Sequence, residues 1–264
     1  MGISSIERKK TIREEIERNG SLSVSKAVKI LKVSEVTVRK YFHELERENF
    51  LLRTYGGAVA KETPFSEKFF FGVKARENIK EKQAIARKAY GLIRENETIF
   101  LDTGTTVFEL SKLIKSGDMK VVVATNSLSV ISELSQNRHI KVFVLGGFLR
   151  HELMDFSGTF IKDEISHLSF TQAFLGVDGI SAKSGITTTD SITARIEEEI
   201  MDKSLSINIL ADFSKIGRIS LIPYGKLENR KVSKTLVTDS HADKNEVSEI
   251  GRKLGIKIIQ TGEL

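Results

Sequence analysis

The sequence predicts an α/β protein in two parts, a winged helix-turn-helix at the N-terminus followed by a mostly parallel α/β domain. Three observations carry that prediction. Residues 21–59 read as helix, tight turn, second helix and short β-ribbon. From about residue 80, short apolar runs alternate with amphipathic stretches. The small and polar residues of this second part collect where the apolar runs end. The implied boundaries are 1–60 for the first part, 61–79 for a linker and 80–264 for the α/β domain.

In the first part, a helix from about Ser5 to Arg18 presents Ile12 and Ile16 to a core and stops at Asn19-Gly20. Ser23 caps the next helix, in which Ala27, Val28 and Leu31 recur at helical spacing; Lys32-Val33 makes the turn and Ser34 caps a further helix. In that helix Val38, Phe42 and Leu45 fall on one face, with Glu35, Thr37, Arg39, Lys40 and His43 elsewhere. A helix held from behind by its apolar face, with basic and hydroxyl side chains near its start, is what reading a DNA major groove requires. Phe50 to Arg53, a Gly56-Gly57 turn and Ala58-Val59 supply the wing.

Charge placement agrees. Residues 1–60 carry twelve Lys and Arg against eight Glu, so +4 of the chain's net +6 sits in under a quarter of its 264 residues. Duplex DNA, a dense line of phosphates, is the partner expected to collect such an excess. The bland alternative is a small helical domain that packs on a partner, its charges simply solvated. The chain has no cysteine, which excludes disulfides, thiolate metal sites and a cysteine nucleophile. No apolar run at the start resembles a signal peptide and none approaches membrane-spanning length, so a soluble cytoplasmic protein is expected.

Lys61-Glu62-Thr63-Pro64 has the composition of a linker, and Phe65, Phe69, Phe70 and Phe71 read as a segment docking on the second domain or a partner subunit. Beyond it, Glu81 to Arg94 carries Ile85, Ala86, Ala89 and Ile93 at helical spacing. Apolar runs follow at 98–102, 121–125, 141–145, 171–176, 207–211, 235–238 and 257–260, separated by helical stretches such as 105–115, 127–136 and 190–204. Such runs read as strands buried on both faces of a parallel sheet.

Ligands of an open α/β sheet bind beyond the carboxyl ends of its strands. There the chain places Asp102-Thr103-Gly104-Thr105-Thr106, Thr125-Asn126-Ser127, Gly146-Gly147 with Arg150 close behind, Gly176-Val177-Asp178-Gly179, and Asp212 to Gly217. A glycine with hydroxyl neighbours at a helix start offers unpaired N–H groups to a phosphate. Together these ends describe a site for a phosphorylated polyol: backbone N–H groups after Gly104 for the phosphate, Lys215 for charge, Asp178 and Asp212 for hydroxyls, Asn126 for either. Other chemistries fit badly. There is no Gly-x-Gly-x-x-Gly, no P-loop and no Gly-x-Ser-x-Gly. The five histidines lack metal-site spacing, and Glu197-Glu198-Glu199 reads as a solvated helix face.

These motifs together resemble the DeoR family of bacterial transcriptional regulators over nearly the whole chain. The family's Val-Ser-x-x-Thr-Ile-Arg-Arg-Asp-Leu helix appears as Val33 to Phe42, and its Arg-x-His-Gly-Gly-Ala wing as Arg53 to Ala58. Tyr41 stands for the usual Asp and Tyr55 for the usual His. The family's sensor pattern appears as Asp102 to Thr106, Thr125 to Leu128, Leu145 to Gly147, Phe174 to Ile180 and Asp212 to Gly217. The resemblance implies a repressor of a sugar or polyol catabolic operon, relieved by a phosphorylated sugar. It further implies a sensor domain related to ribose-5-phosphate isomerase and the CoA transferases, used for binding and not for turnover. The expected DNA-contacting residues are Ser34, Glu35, Thr37, Arg39, Lys40, His43, Arg53, Tyr55 and Gly56. Those expected around the effector are Asp102, Gly104, Thr105, Thr106, Asn126, Gly146, Gly147, Arg150, Asp178, Asp212 and Lys215. No cofactor, metal or catalytic residue is expected, and a homodimer or homotetramer is. The rivals are a sugar-phosphate isomerase or deaminase carrying an accessory DNA-binding domain, and a transcriptional activator built from the same parts.

Overall fold

The computed structural model describes residues 5–19, 21–48, 50–54, 56–60, 71–227 and 231–262. The chain divides into two compact units, Met1–Phe69 and Phe70–Leu264. In the first, α1 (Ser5–Asn19), α2 (Val24–Leu31) and α3 (Glu35–Arg47) surround a core that includes Ile12, Ile16, Ala27, Val38, Phe42 and Leu45. Both expected caps form: Ser23 accepts from the Lys26 amide at 3.2 Å and Ser34 from the Thr37 amide at 3.3 Å. Lys32 makes the turn between α2 and α3 in the left-handed conformation. The wing is richer than expected. β2 (Leu51–Thr54) and β3 (Gly57–Ala60) pair as the anticipated ribbon, and β1 (Ser21–Ser23) joins them to give the order β1-β3-β2. The expected stop at Gly20 lies outside the described residues.

The second unit starts earlier than expected. Residues 71–79, assigned above to the linker, contain α4 (Phe71–Arg76) and the start of α5 (Ile79–Tyr90). Phe71 docks edge-on against Phe108 at 5.5 Å between ring centres, while Phe65, Phe69 and Phe70 lie outside the described residues. All seven anticipated strands form one parallel sheet: β4 (Thr98–Leu101), β5 (Val122–Thr125), β6 (Lys141–Val144), β9 (Gln172–Gly176), β12 (Ser206–Leu210), β14 (Ser233–Thr238) and β15 (Lys257–Gln260). Their order is β15-β14-β12-β9-β4-β5-β6.

Helices cover both faces. Ile99, Leu101, Val123, Phe174 and Leu210 point to one side, under α5, α6 (Thr105–Ser116) and α7 (Leu128–Leu134). Phe100, Ala173, Leu175, Ile207 and Ile209 point to the other, under α8 (Phe160–Ser166), α9 (Ser191–Asp202) and α10 (Lys244–Leu254). Two strands, the edges β6 and β15, depart from the expectation of burial on both faces, and no residue of β15 is fully buried. On β6, Phe143 and Val144 are exposed.

Two small additions lie at the strand ends: a hairpin of β7 (Phe148–Arg150) with β8 (Asp155–Ser157), and a sheet of β10 (Gly179–Ser181), β11 (Gly185–Thr188) and β13 (Ile222–Tyr224). Because the two units have separate cores, Phe42→Ala, a truncation of a fully buried ring, should cost about 3–5 kcal/mol in the first unit alone. Hydrogen exchange should show protection lost in α1–α3 and kept in the parallel sheet.

Candidate functional site

The chain passes from β4 to β5 and β6 on one side, then returns to place β9 on the other side of β4. A topological switch of this kind opens a crevice between the two strands, where open α/β sheets bind ligands. Asp102 ends β4 in that crevice. Its carboxylate is buried, and its Oδ2 accepts the Gly176 amide, at the end of β9, at 2.9 Å. The amides of Thr103 and Gly104 also point at it. Gly104 and Gly176 meet at the same place. A β-carbon on either would come within 3.1 Å of the other's Cα, so a side chain at either position would press the two loops apart by a few tenths of an ångström.

Gly104 is also the N-cap of α6 and supplies no side-chain cap. The first-turn amides of Thr105, Thr106 and Val107 therefore lack intrahelical acceptors and carry the positive end of the helix dipole. Asn126, after β5, is buried; its Nδ2 donates to the Phe156 carbonyl at 3.1 Å, and its Oδ1 has no partner. Gly146 is open. Gly147 adopts φ +146°, and a β-carbon there would lie 2.5 Å from the Ser157 carbonyl oxygen, so it steers the chain into the β7–β8 hairpin.

Other expected residues are already engaged. The Arg150 guanidinium grips Asp155 at 2.8 and 2.6 Å and reaches Asp190 at 2.7 Å. It therefore ties the hairpin to the start of α9 and does not present an uncommitted charge. Asp178 accepts from Lys74 at 2.9 Å, from both hydroxyls of Thr188 and Thr189, and from the Thr189 amide. Burial pulls its carboxyl up, but Lys74 and these donors outweigh it and hold it below the ordinary value. Asp212 caps the short 3-10 turn Phe213–Lys215 through Ser214 and accepts from Asn78 at 3.1 Å. Lys215 closes that turn, near enough to Lys82 to disfavour its charge.

Among the buried ionisable residues that escaped the sequence reading are Glu197 and Lys82. Glu197, expected on a solvated face, is 2 % exposed and accepts from the Tyr224 hydroxyl. Burial, with Asp102 nearby, raises its carboxyl well above the ordinary value. Its companions are engaged too: Glu198 accepts from the Gly225 amide and Glu199 pairs with Lys162. Lys82 is 3 % exposed and donates to the Lys74 carbonyl; burial lowers its amine against the pull of Asp212. Spacing held the signal in both cases. Glu197 shares its helix face with Ala194, Ile200 and Met201, and Lys82 shares one with Ile85, Ala86 and Ala89.

In the first unit, Thr37, Arg39, Lys40 and His43 lie along α3 with the last three exposed, and Ser34 caps its start. Glu35 holds Arg39 at 2.6 and 3.0 Å, fixing where the guanidinium points. Val36, 78 % exposed at the helix start, is an apolar side chain the sequence reading did not single out. Arg53 donates twice to Glu46 and so fastens the wing to α3; Gly56 is exposed in the wing turn. Tyr55 lies outside the described residues. Tyr41, despite its place on α3, turns inward and is buried.

Burial raises the Asp102 carboxyl to about 6. The folded protein thus keeps this proton where an unfolded chain has lost it. The group's contribution to stability is full below pH 4 and is lost as pH rises through 6, by about 3 kcal/mol at most. Asp102→Asn, which keeps an acceptor for Gly176, should raise the melting temperature at pH 7.5 and make little difference at pH 4. An equal shift at both values would show that Asp102 is not the group responsible.

No helix among the described residues is long and apolar enough to cross a membrane. Two family models match the chain: the DeoR-like helix-turn-helix domain over residues 8–63 and the DeoR C terminal sensor domain over residues 77–240. The lactose phosphotransferase system repressor of Staphylococcus epidermidis is 31% identical over 89% of this chain and 92% of its own length. The HTH-type transcriptional regulator GlpR of Haloferax volcanii is 29% identical over 96% of each chain. The HTH-type transcriptional repressor GlcR of Bacillus subtilis is 28% identical over 88% of each. Among solved structures, ribose 5-phosphate isomerase A of Methanocaldococcus jannaschii aligns over 58% of each chain with 18% identity and a TM-score of 0.40. Relatives over nearly the whole length are regulators, which sets the isomerase and deaminase reading aside. The chain is a DNA-binding transcriptional regulator and belongs to the DeoR family.

Proposed function

We propose that this regulator represses an operon for sugar or polyol catabolism and is relieved by a phosphorylated sugar bound in the crevice between β4 and β9. The observation that carries the effector reading is the start of α6. Its glycine cap leaves the first-turn amides to an outside acceptor, at a topological switch point, beside the unpaired Oδ1 of Asn126. An anion is the acceptor such a helix end stabilises best, and a phosphate offers the most oxygens to it. Lys215 adds charge, since a dianion is held poorly by neutral donors alone. The relatives named for a lactose phosphotransferase system and as transcriptional repressors support the sugar and repressor parts.

On the DNA side, α3 enters the major groove with Val36 against a thymine methyl and Arg39 and Lys40 on base edges or phosphates. One winged helix spans only a few base pairs, so specificity calls for a homodimer or homotetramer on paired half-sites. The setting is cytoplasmic, where duplex DNA and sugar phosphates meet. An activator would use the same parts; reporter expression with and without the gene distinguishes the two.

Arg39→Ala should cost about 1–3 kcal/mol of operator binding through a lost base contact. Lys40→Ala should lower the salt slope by about one without changing sequence preference. Anisotropy titrations with both variants at several salt concentrations check this, and undiminished binding by both would reject the groove assignment. Lys215→Ala should bind operator nearly as wild type yet need at least about tenfold more sugar phosphate for release. Release at the wild-type concentration would place the effector elsewhere.

A further inference from the structure

Lys74 on α4, Asn78 at the N-cap of α5 and Lys82 on α5 stand four residues apart, and the first two reach carboxylates at the site. Lys74 Nζ lies 2.9 Å from Asp178 Oδ1. Asn78 Nδ2 lies 3.1 Å from Asp212 Oδ1. Lys82, buried, donates back to the Lys74 carbonyl. Asp178 and Asp212 follow β9 and β12, which are neighbours in the sheet. The first helical segment of the second unit is therefore fastened to two carboxylates at the strand ends where the effector is expected. Lys74 also falls between the two stretches matched by the family models, 8–63 and 77–240. It belongs to the piece of chain through which one unit continues into the other.

We infer that Lys74 is an effector-binding residue, and that its transfer from Asp178 to the effector's phosphate carries occupancy of the site into the segment joining the two units. The inference rests on the sugar-phosphate reading above. Four features make the transfer physically reasonable. A phosphate dianion outcompetes a single carboxylate for an ammonium group. The Lys74 side chain is 26% exposed, so a ligand can reach it, and its long stem lets the charge swing before the backbone has to move. The Asp178 carboxylate keeps three donors when Lys74 leaves its Oδ1, because Thr188 Oγ1, Thr189 Oγ1 and the Thr189 amide each remain at 3.1 Å from Oδ2. Finally, α4 has six residues, too few to hold a helix by themselves, so its order depends on anchors such as Lys74–Asp178 and Phe71–Phe108. Lys82, buried and bonded to a backbone carbonyl, stays where it is and marks the fixed end of the segment. Since the paired and phosphate-bound arrangements exclude each other and the effector relieves repression, the paired arrangement is the one that binds operator.

The test uses the full chain as wild type, Lys74→Gln and Lys74→Arg, with a duplex selected on the protein from random sequence. The ligands are ribose 5-phosphate, glucose 6-phosphate, fructose 1-phosphate and inorganic phosphate. Readouts are amide exchange over residues 71–76, duplex affinity and the concentration of sugar phosphate that releases the duplex. Without any ligand, Lys74→Gln should exchange faster across residues 71–76 and bind the duplex roughly tenfold more weakly, within the range of ordinary coupling between sites. It should also take up sugar phosphate more weakly than wild type. Lys74→Arg, which keeps the cation, should restore duplex affinity. A Lys74→Gln protein with wild-type exchange, duplex affinity and release concentration, where wild type is released, would overturn this inference alone. A wild type that none of the sugar phosphates releases would overturn the effector reading, and with it the ligand role of Lys74.

Discussion

The hydrogen bond from the Gly176 amide to the buried Asp102 carboxylate spans the opening between β9 and β4, and much of the second unit is arranged around it. A carboxylate taken out of water is costly unless donors surround it. Here three backbone amides do so, those of Thr103, Gly104 and Gly176. That demand fixes the two loops against each other and makes Gly104 and Gly176 the residues at their meeting point. It also sets the direction of α6, whose first-turn amides open beside the carboxylate they do not satisfy.

Around this centre the electrostatics are crowded. Asp155, Asp178, Asp190 and Glu197 act electrostatically on Asp102 or on one another. Two of the answering cations are spoken for: Arg150 by Asp155 and Asp190, Lys74 by Asp178. For the proposed phosphate these acids are an electrostatic cost, which Lys215 and any cation that turns toward the ligand would offset. Burial and the same crowding push the Glu197 carboxyl up, and it hydrogen-bonds with Tyr224 in place of a charged partner.

Much of this was legible in the sequence. The seven parallel strands stood out because strands covered on both faces read as unbroken apolar runs. The Ser23 and Ser34 caps stood out because a hydroxyl before a helical repeat has few other uses. The strand-end glycines and aspartates were found by position. What escaped was short or depended on distant partners. β1, β7, β8, β10, β11 and β13 have three or four residues each, too few for a period to emerge. Arg150 looked available because nothing local reveals that Asp190, forty residues on, will meet it. Glu197 and Lys82 were misjudged for a different reason. Their residue type suggested solvent while their spacing placed them with apolar neighbours, and spacing was the better guide.

The brevity of α4 has a geometric consequence. As a helix its six residues span about 9 Å; drawn out, the same residues reach about 20 Å. Whatever loosens it lengthens the tether between the unit that senses and the unit that reads DNA. In an assembly presenting two winged helices to paired half-sites, a longer and softer tether lowers the effective concentration of the second reading head once the first has bound. A few ångströms of slack at one end can thus be felt as lost avidity at the other, with every individual DNA contact left intact.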